Sequence, residues 1–347
     1  MNTVPDSQST RAAIADKGWG PRFMRLTSWL LAAACFYLVY GRIVGAAARD
    51  HQTVGTYMAA FFSMVDWPLW LALMIPYSIF FFLIDSNATW RAVRWFNAPA
   101  LTYGQVLPIR ASAFILSLLN EQIGKGAMSV YLLRRYRVPG LEAVSTMILL
   151  GLMEIYQLLI FAAIGTVLYF DLVRQASTML PLATILISVV VAALIYLPLH
   201  IAYFRGVLLP NLRWRDARIF HTFRQARPYQ YAAVILMKAP NLIVAVLVYT
   251  AALSLFHVHV VFGQMLAFLP VIFLAAALPL PFHAGALLLW TVLFPAFPEV
   301  GAFSLVMHTF FVTFNAVIGL VFLPRANREL FVDAAAAAVA VPNQALD

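Results

Sequence analysis

Ionisable and amide side chains inside long apolar runs are the positions where this chain could do chemistry, because hydrocarbon penalises them unless they face a cavity or a partner. Glu154 stands at the centre of the run from Leu141 to Tyr169, where an ionised carboxylate is strongly disfavoured without a counter-charge. At about 100° per residue, Thr146, Gly151, Glu154, Gln157 and Gly165 fall within roughly 140° of arc, so one helix face is small and polar. Such a face serves either a substrate or close helix-to-helix packing through its glycines, with Glu154 protonated or hydrogen-bonded to a neighbour.

A second candidate is the segment from Asn120 to Gly126, which holds Glu121, Lys125 and two glycines. Glycines let a backbone approach a ligand closely and leave amides free for phosphate oxygens, while Lys125 supplies a point charge. The same residues also make an ordinary turn; Arg110, on the other side of a short apolar segment, favours the head-group reading. Arg134, Arg135 and Arg137 read as anchors at the cytoplasmic surface, with contact to lipid phosphate as a second role. Lys238 lies near the start of its span, so its ammonium is expected to reach back toward the Arg-rich loop that precedes it. Asn241 follows Pro240, which frees a backbone carbonyl that an asparagine can satisfy or replace with substrate. Asn315 shares a face with His308 in the last span.

Familiar enzyme constellations are missing: there is no Gly-rich phosphate loop, no GxSxG, no HExxH and no carboxylate pair at helical spacing. The single cysteine, Cys35, excludes an internal disulfide and a Cys-based metal site, and His257 and His259 have no carboxylate nearby in sequence. No cofactor or metal is expected, and the chain reads as transporter-like rather than enzymatic.

The elements that must hold these groups follow from composition. Of the 347 residues, 63% are hydrophobic and 11% charged, which excludes a soluble domain, a disulfide scaffold and a disordered tail. The net charge of +9 suggests nucleic acid, but arginines kept in cytoplasmic loops by the positive-inside rule explain it more simply. Bilayer-length runs are expected at Leu26 to Val44, Pro68 to Ile84, Leu141 to Tyr169, Met179 to Phe204, Tyr231 to Leu255, Val260 to Leu280 and Gly301 to Leu323. Trp67, Trp70, Trp90 and Trp95 cluster near span ends, as interfacial anchors do.

Two apolar segments, Gln105 to Leu119 and His283 to Phe297, are only about 15 residues long and are bordered or interrupted by prolines, which marks them as re-entrant or broken. Arginines flank the first on both sides, so it is expected to enter and leave on one face. The second either crosses, giving about eight spans and a cytoplasmic C-terminus, or re-enters and leaves the C-terminus outside. Leu107-Pro108 and Leu278-Pro279 open the two segments about half a chain apart, a hint of an internal two-fold repeat and a pointer to a transporter's binding site. The fold class is therefore all-α, a polytopic helical membrane protein. Its parts are a cytoplasmic N-terminal segment at 1–25, a transmembrane domain at 26–325 and a C-terminal tail at 326–347.

The run Gly124-Lys125-Gly126-Ala127, then Tyr131 to Pro139 with its Leu-Leu-Arg-Arg core, and Ala143 through Glu154 resembles the core of the lysylphosphatidylglycerol synthase transmembrane-region family, flippase-like membrane domains. Leu278-Pro279-Leu280-Pro281 with Gly285 is similar to that family's proline- and glycine-rich short segment. Ala127 stands where the family has glutamate and Ile155 where it has arginine, so Glu154 and the basic helix are what carries over. The resemblance implies a multi-pass protein of the plasma or inner membrane, N-terminus cytoplasmic, that binds or translocates a phospholipid or polyprenyl-phosphate lipid. Synthesis of aminoacylated lipid is not expected, since the soluble transfer domain of some relatives is lacking. Alternatives from other classes are a polyprenyl-phosphate glycosyltransferase with Glu154 or Glu121 as general base, and an accessory subunit of an envelope-lipid complex.

Overall fold

The computed structural model describes residues 20–119, 121–176, 181–278, 280–297 and 299–332. Most of the N-terminal segment, Asn120, Pro279 and the tail beyond 332 lie outside the described residues.

Every regular element among them is helical: α1 (Gly20–Arg49), α2 (Val54–Ser63), α3 (Trp67–Phe96), α4 (Tyr103–Leu119), α5 (Glu121–Tyr136), α6 (Gly140–Leu168), α7 (Phe170–Ala176), α8 (Leu182–Phe204), α9 (His221–Gln225), α10 (Pro228–Ser254), α11 (Phe262–Ala276), α12 (Ala284–Leu293) and α13 (Val300–Asn327). Six of these, α1, α3, α6, α8, α10 and α13, are long and apolar enough to cross a bilayer. Local sequence sets several starts. Asp66 caps α3 by accepting from the amide of Leu69 (3.1 Å), and the Gln230 and Gln264 amide oxygens take the backbone N–H of Arg227 (2.8 Å) and Val261 (3.2 Å) ahead of α10 and α11.

Two boundaries differ from the sequence reading. The expected span Pro68 to Ile84 continues without a break to Phe96, carrying Asp85 inside the helix rather than past its end. The expected span Val260 to Leu280 is helical only over the 15 residues of α11, about 22 Å, too short to cross. Pro281, together with the left-handed backbone of Phe282 (φ 55°) and His283 (φ 52°), reverses the chain into α12, which is only 10 residues long. α11 and α12 thus form one helical hairpin of two helices each too short to cross, which leaves six helices of bilayer length among the described residues.

α4 and α5 form the other hairpin. Gly124 of α5 packs so closely on α4 that a Cβ there would lie 2.9 Å from the carbonyl oxygen of Ala113. The segment expected at the cytoplasmic surface, as a head-group loop or an ordinary turn, is instead the inner end of this hairpin, and Arg134 and Arg135 sit at its outer end. Each hairpin runs beside α13 from an opposite end: Gly104 lies by Arg325 and Gly319 against Ile115 of α4, while His283 meets the ring of His308 at 5.8 Å. Leu119 is one turn beyond Ile115, so the two inner ends approach within about 10 Å along α13. Arg94, Arg134, Arg135, Arg137, the loop 205–227 with its six arginines, Arg325 and Arg328 all fall at the end from which the α4–α5 hairpin enters.

Two apolar cores fill the bundle. One gathers Trp70, Tyr77, Leu158, Leu242 and Phe268 toward the arginine-poor end; the other gathers Ala92, Tyr131, Met153 and Val234 toward the arginine-rich end. Trp70 is 2% exposed, so it is a core residue and not an interfacial anchor. Close approach of α6 and α11 rests on Gly165, where a Cβ would lie 2.5 Å from the Cα of Ala267. Gly165→Ala is therefore expected to cost about 1–3 kcal/mol by overpacking. Gly41→Ala, whose Cβ meets nothing within 4 Å, should leave thermal unfolding in detergent unchanged or slightly raised.

Candidate functional site

The layer between the two cores is polar, and four helices supply it. Asp85 of α3, Arg110 of α4, Glu154 of α6 and Lys238 of α10 converge there; Asp85, Glu154 and Lys238 each lie at least ten residues inside both ends of their helices, and Arg110 sits near the middle of the shorter α4. Arg110 Nη2 donates to Asp85 Oδ2. Lys238 Nζ lies 3.0 Å from Asp85 Oδ1 and 3.1 Å from Glu154 Oε2, so one ammonium joins two carboxylates. Two positive and two negative charges cancel, which is the arrangement hydrocarbon tolerates.

The side chains of Lys238, Asp85 and Arg110 are 6%, 10% and 14% exposed, whereas that of Glu154 is 37% exposed. Glu154 stands at the rim of a cleft lined by Asp85, Thr89, Arg110, Met147, Leu150, Gly151, Glu154 and Lys238, with a cavity volume of about 20 Å³, room for roughly one water. Gly151 keeps the rim open, since a Cβ there would meet nothing within 4 Å. Beside it on α6, Ile148 and Ile155 are exposed at 41% and 38%, the mark of a lipid-facing stripe. The cleft mouth therefore lies next to an apolar outer surface.

Amides and hydroxyls hold the four helices in register. Gln157 Nε2 donates to the carbonyl of Lys238 (2.9 Å), two residues before Pro240, and Asn241 Nδ2 donates to the carbonyl of Phe81 (3.4 Å). Thr89 Oγ1 donates to the carbonyl of Asp85 (2.9 Å). Asn241 Oδ1 is buried with no hydrogen-bond partner, and the hydroxyls of Ser78 and Ser86 on α3 share that condition. Toward the arginine-rich end, Thr146 bonds Asn97 Oδ1 (2.6 Å) and Thr222 (2.8 Å), so the polar face of α6 divides its residues among several partners.

Of the residues singled out in the sequence, the structure brings Arg110 and Glu154 into the cleft and places Gln157 and Asn241 in the bonds that align its walls. Asn315 is on α13, which contributes no lining residue. Arg134 and Arg135 lie at the outer end of α5, beside Tyr136, whose hydroxyl donates to Gln105 Oε1 (3.0 Å) and whose phenol is raised above its ordinary pKa by burial. The side chains of Glu121 and Lys125 lie outside the described residues. Lys238 does not extend toward the loop; it is drawn into the bundle, where two carboxylates lie within 3.1 Å of its ammonium. Asp85 was missed because the apolar run was ended one residue before it. A helical projection of Ser78, Asp85, Ser86 and Thr89 on one face was the available signal. Among the described residues, no three metal-ligating side chains cluster.

Removing the shared cation should hurt most. Lys238→Met leaves the buried Asp85 and the rim-exposed Glu154 facing one arginine and is expected to destabilise by about 3–5 kcal/mol. Glu154→Gln, at the half-open rim, should cost far less, and the Lys238→Met/Glu154→Gln double variant should recover part of the single loss. Thermal unfolding in detergent, read as a double-mutant cycle, checks this; additive losses would mean that the two side chains do not interact.

Comparison of the chain with protein-family models, curated protein sequences and solved structures gave no match, so its function is argued from its own residues.

Proposed function

We propose that this multi-span helical membrane protein binds and translocates an amphipathic lipid with an anionic head group, a phospholipid or polyprenyl phosphate. It does so in a plasma or inner membrane, with the arginine-rich end cytoplasmic, in the manner of the flippase-like family that its basic helix and Glu154 resemble. The observation that carries this reading is the neutral cluster of four charges whose mouth, at Gly151 and Glu154, adjoins a lipid-facing stripe.

Both cations of the cluster are engaged by carboxylates, so a phosphate enters only by exchange. Glu154 is the group to exchange: it is the most exposed of the four and sits at the rim. When it turns outward and takes up a proton, a phosphate of charge −1, a phosphodiester or a singly ionised polyprenyl phosphate, replaces its carboxylate at Lys238 and the total charge stays zero. The head group then occupies the polar layer while its tails remain beside Ile148 and Ile155. Two helical hairpins directed inward from opposite ends give each leaflet its own gate, the logic of transporters whose sites lie near the midplane. The chain carries no phosphate-binding Gly-rich loop, so a net direction would come from an ion gradient or from substrate supply.

Proteoliposomes holding the purified protein and tail-labelled phosphatidylglycerol test the proposal through dithionite bleaching. The protein should expose inner-leaflet label faster than protein-free vesicles do. Gly151→Leu, which fills the mouth without meeting a neighbour at its Cβ, should slow this about tenfold, equivalent to about 1.4 kcal/mol of barrier. Scrambling equal to empty vesicles across phosphatidylglycerol, phosphatidic acid and polyprenyl phosphate would overturn the reading.

A further inference from the structure

A second arrangement stands on the opposite side of α3, toward its arginine-rich end, and takes no part in the central cleft. The guanidinium carbons of Arg91 and Arg94 both lie over the ring of Trp90, at 5.5 and 5.2 Å from its centroid. Each arginine is also tied by its Nε: Arg91 donates to Asn87 Oδ1 (3.3 Å) and Arg94 to the carbonyl of Pro99 (3.0 Å). The platform is itself fixed, since Trp90 Nε1 donates to the carbonyl of Leu101 (2.9 Å) and its ring rests against Tyr103. Trp95 and Pro99 complete a cavity of about 250 Å³ around the two guanidinium groups.

Among the described residues, no ion pair joins Arg91 or Arg94 to a carboxylate. That separates this site from the central cluster, where every positive charge is matched. Arginines that served only as cytoplasmic anchors would extend into water, where solvation is best. These two instead lie over one indole, are held at Nε by an amide and a backbone acceptor, and both line one cavity. A guanidinium held at Nε presents its Nη pair as a preoriented fork, and two such forks match the oxygens of a phosphate. The indoles suit the interfacial depth at which such a phosphate sits in a membrane.

We propose that Trp90, Arg91, Arg94 and Trp95 form a binding site for the phosphate of an anionic head group, on the outer face of α3 and separate from the cleft. The shared chemistry is a phosphate ester, supplied either by a membrane phospholipid or by a soluble phosphoester. The site stands whether or not the cleft transports lipid, because it needs no exchange of buried charge and no movement of the hairpins.

The test is native mass spectrometry of the full-length protein released from detergent containing equal phosphatidylglycerol and phosphatidylcholine. The wild-type chain should retain phosphatidylglycerol preferentially. Arg91→Gln/Arg94→Gln should lower that retention about tenfold, the scale of one lost charge-assisted contact. Both side chains are exposed, so thermal unfolding should be unchanged, and single Arg91→Gln, with an intermediate loss, guards against a folding effect in the double variant. Retention that millimolar inorganic phosphate and glycerol phosphate do not reduce assigns the site to lipid; displacement by both assigns it to soluble phosphoesters. Equal phosphatidylglycerol retention by wild type and double variant would overturn the proposal. A protein that retains the lipid through these arginines yet scrambles none would fail the transport reading alone.

Discussion

Four charges held in a slab of hydrocarbon must cancel, and this constraint orders the middle of the molecule. One ionised side chain at the centre of a membrane helix costs about 2.5–3.5 kcal/mol on insertion scales, so four left alone would cost about 10–14 kcal/mol. Pairing offsets that cost only if Asp85, Arg110, Glu154 and Lys238 arrive within contact distance of one another, and they come from four separate helices. The registers of α3, α4, α6 and α10 are therefore fixed at one level. The hydrogen bonds from the Gln157 amide to the Lys238 carbonyl and from the Asn241 amide to the Phe81 carbonyl reinforce that register about one turn of helix away. Above and below it, packing is apolar and follows from volume and close approach, as at Gly165 against Ala267.

The short helices follow from the same economy of polar groups. A chain that reverses in hydrocarbon must bury its turn against protein, because the backbone groups freed there have no water. The α11–α12 turn touches α13, where the His283 ring meets that of His308, and α1, where Phe282 meets Trp29 and Phe36 while staying 55% exposed. The α4–α5 hairpin meets the requirement through Gly124, which brings the two arms together, and Gly319, which lets α4 settle on α13. Each hairpin thus depends on α13, the helix that both accompany from opposite ends.

Much of this was legible in the sequence, and the misses have physical causes. The all-helical membrane class came from composition, and the two interrupted regions came from proline and short apolar length. Glu154 announced itself because it has apolar residues on both sides for more than a bilayer's half-thickness. Asp85 did not, because Arg91 and Arg94 follow it closely and a hydropathy boundary falls naturally at the first charge; only the partner charges of α4, α6 and α10 permit the helix to carry it inward. Lys238 near a span end is the usual picture of a snorkelling side chain, and one-dimensional reasoning cannot weigh a distant loop against two carboxylates that sequence places far away. Val260 to Leu280 looked continuous because alanine, leucine and proline at its end are all apolar, whereas the fold needed a turn there. Gly165 and Gly151 share a face of α6 but have opposite surroundings, a packed backbone and open space, and no pattern in the sequence separates them.

The unequal burial of the cluster distinguishes it from a purely structural lock. A network that served only to fasten helices would gain from sealing all four groups, since screening by water weakens each pair. Here three are nearly sealed and the fourth is left at a rim that a single leucine side chain would close. Exposure of Glu154 weakens its hold on Lys238 while Asp85 keeps its own two cations, so the cluster has one weak bond and two strong ones. When that weak bond opens and Glu154 is neutralised, Asp85 still holds both cations and the cluster carries a net charge of +1 beside a lipid-facing stripe. Under the proposed function, an anionic head group of charge −1 restores that balance.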